Sequence, residues 1–253
     1  MKWRWLGPLL AAVFLYSLVT ATPAALMVSW LLPTGSPLSI DGVSGSLSKG
    51  EAAALSLRGR PSLQRLHWQL RPVWLLLGRF DWTIGGGDSA LHFAGELQWG
   101  LGGMRARHLT AGGRLKDLLP LAGLPFVPAD GVATLKLDRL RLAGSRIVGL
   151  RGQAQIQHLN WTLTQQPLEL GTFNADLSTA DGTLSARLST LAGPIDVGGT
   201  ASLNSDRRYE LNLTLKPKPG ASSQLTGILG AFGRPDLHDV YHYRQSGTLP
   251  TRL

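Results

Sequence analysis

Apolar and polar residues alternate with a period of two along most of this chain, the mark of strands that bury one face. Leu66, Trp68 and Leu70 alternate with His67, Gln69 and Arg71, and Phe80, Trp82 and Ile84 resume the pattern. Leu91, Phe93, Leu97 and Trp99 share one face of the next segment. Residues 132–137 read as a strand, but the following leucines, Leu140 and Leu142, fall in the other phase, which predicts a bulge at Asp138-Arg139. Further on, Gln153, Gln155 and Gln157 alternate with Ala154 and Ile156, and Phe173, Ala175 and Leu177 with Asn174 and Asp176. Asp181-Gly182 is the strongest hairpin signal. Leu184, Ala186 and Leu188 follow it, then Ile195, Val197, Ala201 and Leu203, then Tyr209, Leu211, Leu213 and Leu215. Residues 240–244 make a last strand. The succession predicts an antiparallel meander.

Three short apolar helices interrupt the strands. Pro72 opens one over Val73 to Leu77 and Gly78 closes it. A second is expected within residues 115–125. A third, capped by Ser222 or Ser223, carries Leu225, Ile228, Leu229 and Phe232 and is stopped by Gly233. Strand, helix and return strand thus recur around residues 66–84, 115–137 and 211–244, a repeat of pattern rather than identity. The glycine runs at 85–87 and 100–103 read as turns.

The N-terminus differs. Lys2 and Arg4 precede an uncharged run in which Trp5, Leu6, Leu9, Leu10, Val13, Phe14, Leu15, Leu18 and Val19 form an apolar segment. That segment is short for a membrane span, and it reaches spanning length if the helix continues through Pro23. The competing reading is a signal peptide cleaved after Ala21; apolarity resumes straight after that point, which favours a retained anchor. Residues 1–33 are therefore expected to form a transmembrane helix that contacts membrane lipid, and residues 34–253 a β-rich domain. In either reading the positive-inside rule keeps Lys2 and Arg4 in the cytoplasm and sends the rest across the membrane.

With no cysteine, disulfides, thiolate metal sites and a cysteine nucleophile are excluded. A net charge of +9 raises nucleic acid as a partner, but the cations are scattered and no nucleic-acid motif appears, so none is expected. Arg58, Arg60, Arg65 and Arg79 are the expected contact residues. Trp68, Trp74, Trp82 and Trp99 read as core positions.

Little here suggests catalysis. Asp236, His238, Asp239 and His242 are the best metal candidate, yet the local alternation argues strand, where residues four apart stand too far along one face to chelate together. Gly87-Asp88-Ser89 lacks a nominated base or oxyanion hole. Neither glycine run has the context for phosphate binding. No catalytic residue, metal ligand or cofactor is expected.

The boxes GVSGSL (42–47) with Gly50-Glu51-Ala52, LHWQLRP (66–72) leading to Leu76-Leu77-Gly78-Arg79, and Gly233-Arg234-Pro235-Asp236 with Tyr243-Arg244-Gln245-Ser246-Gly247 occur in an order that resembles the type II secretion system protein N family. Gly42, Gly45, Gly50, Trp68, Pro72, Gly78, Gly233, Pro235 and Gly247 carry the resemblance structurally. Position 48 departs from it, with Ser48 where a bulky aromatic is expected. The resemblance implies a non-enzymatic, single-pass inner-membrane protein of Gram-negative bacteria. Its domain would be periplasmic, and its partners other inner-membrane or periplasmic secretion components. Such a fold is similar to AsmA-like proteins: a curved antiparallel sheet of β-helix-β units, with a lipid ligand in an apolar groove as the second implied role.

Overall fold

The computed structural model of the protein describes residues 17, 21–26, 38–57, 60–71, 79–88, 90–100, 103–120, 127–144, 146–163, 167–230 and 233–248. The strands are β1 (Leu38–Asp41), β2 (Ser44–Gly45), β3 (Lys49–Leu57), β4 (Arg60–Leu70), β5 (Phe80–Gly87), β6 (Leu91–Gly100), β7 (Gly103–Arg114), β8 (Ala129–Ala143), β9 (Arg146–Trp161), β10 (Leu168–Ala180), β11 (Thr183–Ala192), β12 (Ile195–Leu203), β13 (Arg208–Pro217) and β14 (Tyr241–Thr248). Their order in the sheet follows the chain, with β2 set off the path against β3. The expected antiparallel meander is present. By contacts the chain divides into two compact units, Met1–Leu109 and Thr110–Leu253.

In the first unit β3 and β4 pair from Lys49↔Gln69 to Leu57↔Arg60, and β1 and β2 pair with successive stretches of β3. The glycines 85–87, expected as a turn, are strand residues of β5. A Cβ on Gly85 would stand 2.7 Å from the His67 ring, and one on Gly86 would stand 2.9 Å from the Leu66 backbone. These glycines are there because neighbouring chain passes close by, which a local pattern does not reveal.

The expected transmembrane helix is corrected. Among the described residues no helix is long and apolar enough to cross a membrane. Spanning length required the helix to run on through Pro23. Instead Pro23 forms a β-bridge with Ser46, and the Leu47 amide donates to the Thr22 carbonyl at 3.1 Å. Ala24 beyond it is buried at 2% exposure. Chain that pairs edge-on with a strand cannot continue an α-helix, because its backbone groups are committed sideways. Trp5, Leu6, Leu9, Leu10, Val13, Phe14, Leu15, Leu18 and Val19 lie outside the described residues.

In the second unit β8 to β14 have two faces of opposite character. Reading the register across, Leu135, Ala154, Ala175, Leu188, Gly199, Leu213 and Tyr243 stand in one row. Leu137, Gly152, Leu177, Ala186, Ala201 and Leu211 form the next row on that face. The row between them, on the other face, is Lys136, Gln153, Asp176, Arg187, Thr200, Asn212 and Arg244. Such alternation holds the register, since a slip of one residue would exchange the faces.

Short helices also accompany the strands of the second unit, among them α1 (Leu115–Leu118) and α2 (Ser223–Leu229). The Ser222 side chain accepts from the Leu225 amide and caps α2, as expected. The helix ends three residues earlier than expected, with Gly230 rather than Gly233 after it. Leu225 and Leu229, 1% and 2% exposed, pack with Leu168, Ile195, Leu215 and Tyr241 into the core of this unit. Each such leucine contributes about 2 kcal/mol by burial. The helix expected over residues 73–77 lies outside the described residues.

Candidate functional site

The first two sequence boxes, some twenty residues apart, come together as one packing unit in the first compact unit. Gly50 and Trp68 are register partners on β3 and β4. The indole lies where a side chain at 50 would be: a Cβ there would stand 2.7 Å from Trp68 Cε2 and 2.8 Å from the Ser44 carbonyl oxygen. Trp68 Nε1 donates to the Ser46 carbonyl at 3.1 Å, which ties the ring to the β2–β3 turn. Gly45 pairs with Gly50, and Gly42 accepts from the Ala53 amide at 3.3 Å. Ser48, at the position expected to be aromatic, sets its hydroxyl 2.8 Å from that of Ser46, while its carbonyl accepts from the Leu70 amide at 2.6 Å. The small residue keeps the strands joined here through these two hydrogen bonds.

The other motif positions are dispersed. Gly247 on β14 faces Tyr209 on β13, whose ring stands 2.8 Å from where a Cβ would be. This repeats, in the second unit, the pairing of glycine with an aromatic ring. Gly233 and Pro235 sit in the exposed segment before β14. Pro72 and Gly78 lie outside the described residues, as do Arg58 and Trp74. Arg60 belongs to β4, and Arg65 and Arg79 are exposed. Trp82 is half-buried and stacks on Phe80 at 5.6 Å, whereas Trp99, expected in a core, is 56% exposed.

Groups that suggested chemistry serve local structure. Asp236 Oδ1 accepts from the His238 and Val240 amides at 2.8 and 3.0 Å, and its Oδ2 lies 3.1 Å from His242 Nε2. The His242 contact first, then the two amides, lower the Asp236 carboxyl to about 2 from an ordinary 3.8. Among the described residues no group of three or more His, Cys, Asp or Glu could hold a metal ion. Asp88 closes the β5–β6 turn by accepting from the Ala90 and Leu91 amides at 2.7 and 3.0 Å. That is an Asx-turn geometry, in which the carboxylate holds the turn together.

These features define a meandering antiparallel-sheet protein whose singled-out glycines and aromatics hold neighbouring strands together rather than face a substrate. The family model that matches is that of "Type II secretion system (T2SS), protein N", over residues 36–244. That range includes both boxes around Gly50 and Trp68 and most of the C-terminal one. The type II secretion system protein N of Aeromonas hydrophila is 28% identical over 250 residues, covering 95% of this chain and 98% of the relative. That of Vibrio cholerae is 27% identical over 253 residues, covering 96% and 97%. That of Klebsiella pneumoniae is 29% identical over 250 residues, covering 96% and 94%. No solved structure matches. The chain belongs to the type II secretion system protein N family and is a component of the type II secretion system. Its family is that of a secretion-system component associated with the membrane, not one known for catalysis.

Proposed function

We propose that the protein is an accessory, non-enzymatic part of the secretion system, acting on the periplasmic side of the inner membrane of a Gram-negative bacterium. Residues 34–253 are the working domain. It takes part in export of folded proteins from the periplasm across the outer membrane, through contacts with other inner-membrane or periplasmic components. What supports this is the family match over residues 36–244, together with motif residues that build a strand scaffold. Deleting the gene tests it. The expected result is type II substrates retained in the periplasm and restored to the medium by the intact gene; undiminished secretion of every substrate overturns the reading. Photo-crosslinking groups placed at Arg65 and Arg79 are expected to capture another secretion component.

A second reading is favoured by one observation: the apolar rows of β8 to β13 are wide, and among the described residues α2 packs at their end near Leu215 and Tyr241. On that reading the face takes a lipid chain, with Leu135, Leu188 and Leu213 among the lining residues. Native mass spectrometry of detergent-extracted protein is the test. Absence of co-purified lipid, with no labelling by photo-crosslinkable lipid, removes this reading.

A further inference from the structure

A cleft of about 790 Å³ opens on the strands β8, β9 and β10, and four cations line it: Lys136, Arg139, Arg141 and Arg151. Register makes them neighbours. Arg139 and Arg151 are direct partners across β8 and β9. Arg141 faces Gly149, and its aliphatic stem lies 3.5 Å from where a Cβ on that glycine would be. Lys136 stands on the same face, opposite Gln153.

Like charges placed directly opposite each other on adjacent strands repel and destabilise the pair. The usual remedy is an intervening carboxylate, and two line the cleft, Asp138 and Asp176. Neither neutralises the group. Among the described residues the charged ends of Lys136, Arg139, Arg141 and Arg151 make no ion pair and no hydrogen bond. Asp176 is engaged elsewhere, accepting from Asn174 Nδ2 at 3.3 Å. Cations outnumber carboxylates four to two in the lining, so a fixed positive field remains.

The bulge explains how the cluster arises. Odd-numbered Ala133, Leu135 and Leu137 stand on the apolar face, and continued alternation would put Arg139 and Arg141 there too. The register shifts between Leu137 and Arg139, with Asp138 as the extra residue. Arg139 and Arg141 thereby swing to the polar face, and Leu140, opposite Leu150, takes the apolar one.

We propose that this cleft binds a phosphate group, held between the guanidinium groups of Arg139 and Arg151 with Arg141 and Lys136 closing from the side. A guanidinium presents a planar fork of donors that matches an oxyanion bidentately. A carboxylate has two oxygens in one plane and is satisfied by one fork. A tetrahedral phosphate offers oxygens in several directions, as three guanidiniums and an ammonium from two strands require. The phosphate can belong to a phospholipid headgroup or be free in solution. The site lies on the face opposite the apolar rows and stands independently of the secretion role and of the lipid-chain reading.

The test uses the full-length purified protein. Binding of pyrophosphate is measured by calorimetry, and binding to phosphatidylglycerol vesicles by co-sedimentation, with phosphatidylcholine vesicles as the neutral comparison. Two variants are compared, Arg139→Gln/Arg151→Gln and a charge-matched control, Lys218→Gln/Arg234→Gln, at exposed positions outside the cleft. The expected result is roughly tenfold weaker binding for each cleft guanidinium removed, with little change in the control. Binding of both probes supports the site with a headgroup as its source of phosphate; pyrophosphate alone supports it with a soluble source. Equal losses in the two variants mean diffuse attraction by net charge and overturn the proposal. So does a polyglutamate peptide that binds the cleft and is not displaced by pyrophosphate, because the site then takes an acidic chain. Because Arg139 and Arg151 repel each other when the cleft is empty, the cleft variant is expected to melt no lower than the wild type. A lower melting temperature, with binding lost, would show the arginines to be structural and also overturn the proposal.

Discussion

Gly50→Ala is the substitution that most directly probes how the two sequence boxes are joined. The new methyl group would meet Trp68 Cε2 at 2.7 Å and the Ser44 carbonyl oxygen at 2.8 Å, both well inside contact distance. The ring can tilt, but the carbonyl belongs to β2, which pairs with β3 at Ser44↔Glu51 and Gly45↔Gly50. Overpacking of this kind costs about 1–3 kcal/mol. Trp68→Ala removes the half-buried ring and its 3.1 Å hydrogen bond to Ser46. With about 100 Å² of ring area lost at 25 cal/mol per Å², plus about 1 kcal/mol for the bond, its cost is about 3.5 kcal/mol. In the double variant the methyl group occupies space the ring has vacated. The two costs are therefore expected to fall short of additive by about 1 kcal/mol or more. Urea unfolding followed by circular dichroism gives all four stabilities. Costs that add to within about 0.5 kcal/mol would refute the reasoning, since the cost of Gly50→Ala would then come from the Ser44 carbonyl and not from the ring.

Leu225→Ala empties a position of the second unit that is 1% exposed and is expected to cost about 2–5 kcal/mol, read as a lower urea midpoint. Gly182→Ala acts through the backbone alone: φ is +75° and nothing lies within 4 Å, so about 1 kcal/mol is expected from the left-handed conformation. Asp236 is lowered to about 2, so its contacts with His242, Val240 and His238 favour folding fully above the ordinary value of 3.8 and are lost as pH falls towards 2. Amide resonances of residues 236–242 are expected to shift over that window in the wild type and not in Asp236→Asn; an unchanged acid transition in the variant would contradict the assignment.

Features of the fold that depend on neighbours in sequence were legible from the sequence. Asp181 and Gly182 form the expected two-residue turn, with φ of 50° and 75°. The phase change at Asp138 marks a real register shift. Features that depend on distant chain were not. Gly85 and Gly86 look like turn residues until β4 is placed against them. Pro23 looks like a kink in a helix until Ser46 is found beside it. The family boxes were readable as residues, but their meaning as a hairpin under one indole needed the pairing of Gly50 with Trp68. The cations of the cleft looked scattered because Arg139 and Arg151 are separated along the chain and are joined only by register.

The bulge at Asp138 links these observations physically. On a regular strand each charged residue in an apolar phase is a defect, and Arg139 and Arg141 would be two such defects beside Leu137. One inserted residue removes both by exchanging the faces of everything that follows, so Leu140 continues the apolar surface. The same insertion gathers two arginines against Arg151, at an electrostatic cost a stability argument alone does not justify. Placing either arginine at a solvent-facing position with no cation opposite it would have solved the packing problem without the repulsion. The pairing of Arg139 with Arg151 is thus better explained by an anion between them than by the needs of the sheet, whereas Gly50 under Trp68 is explained by the needs of the sheet alone.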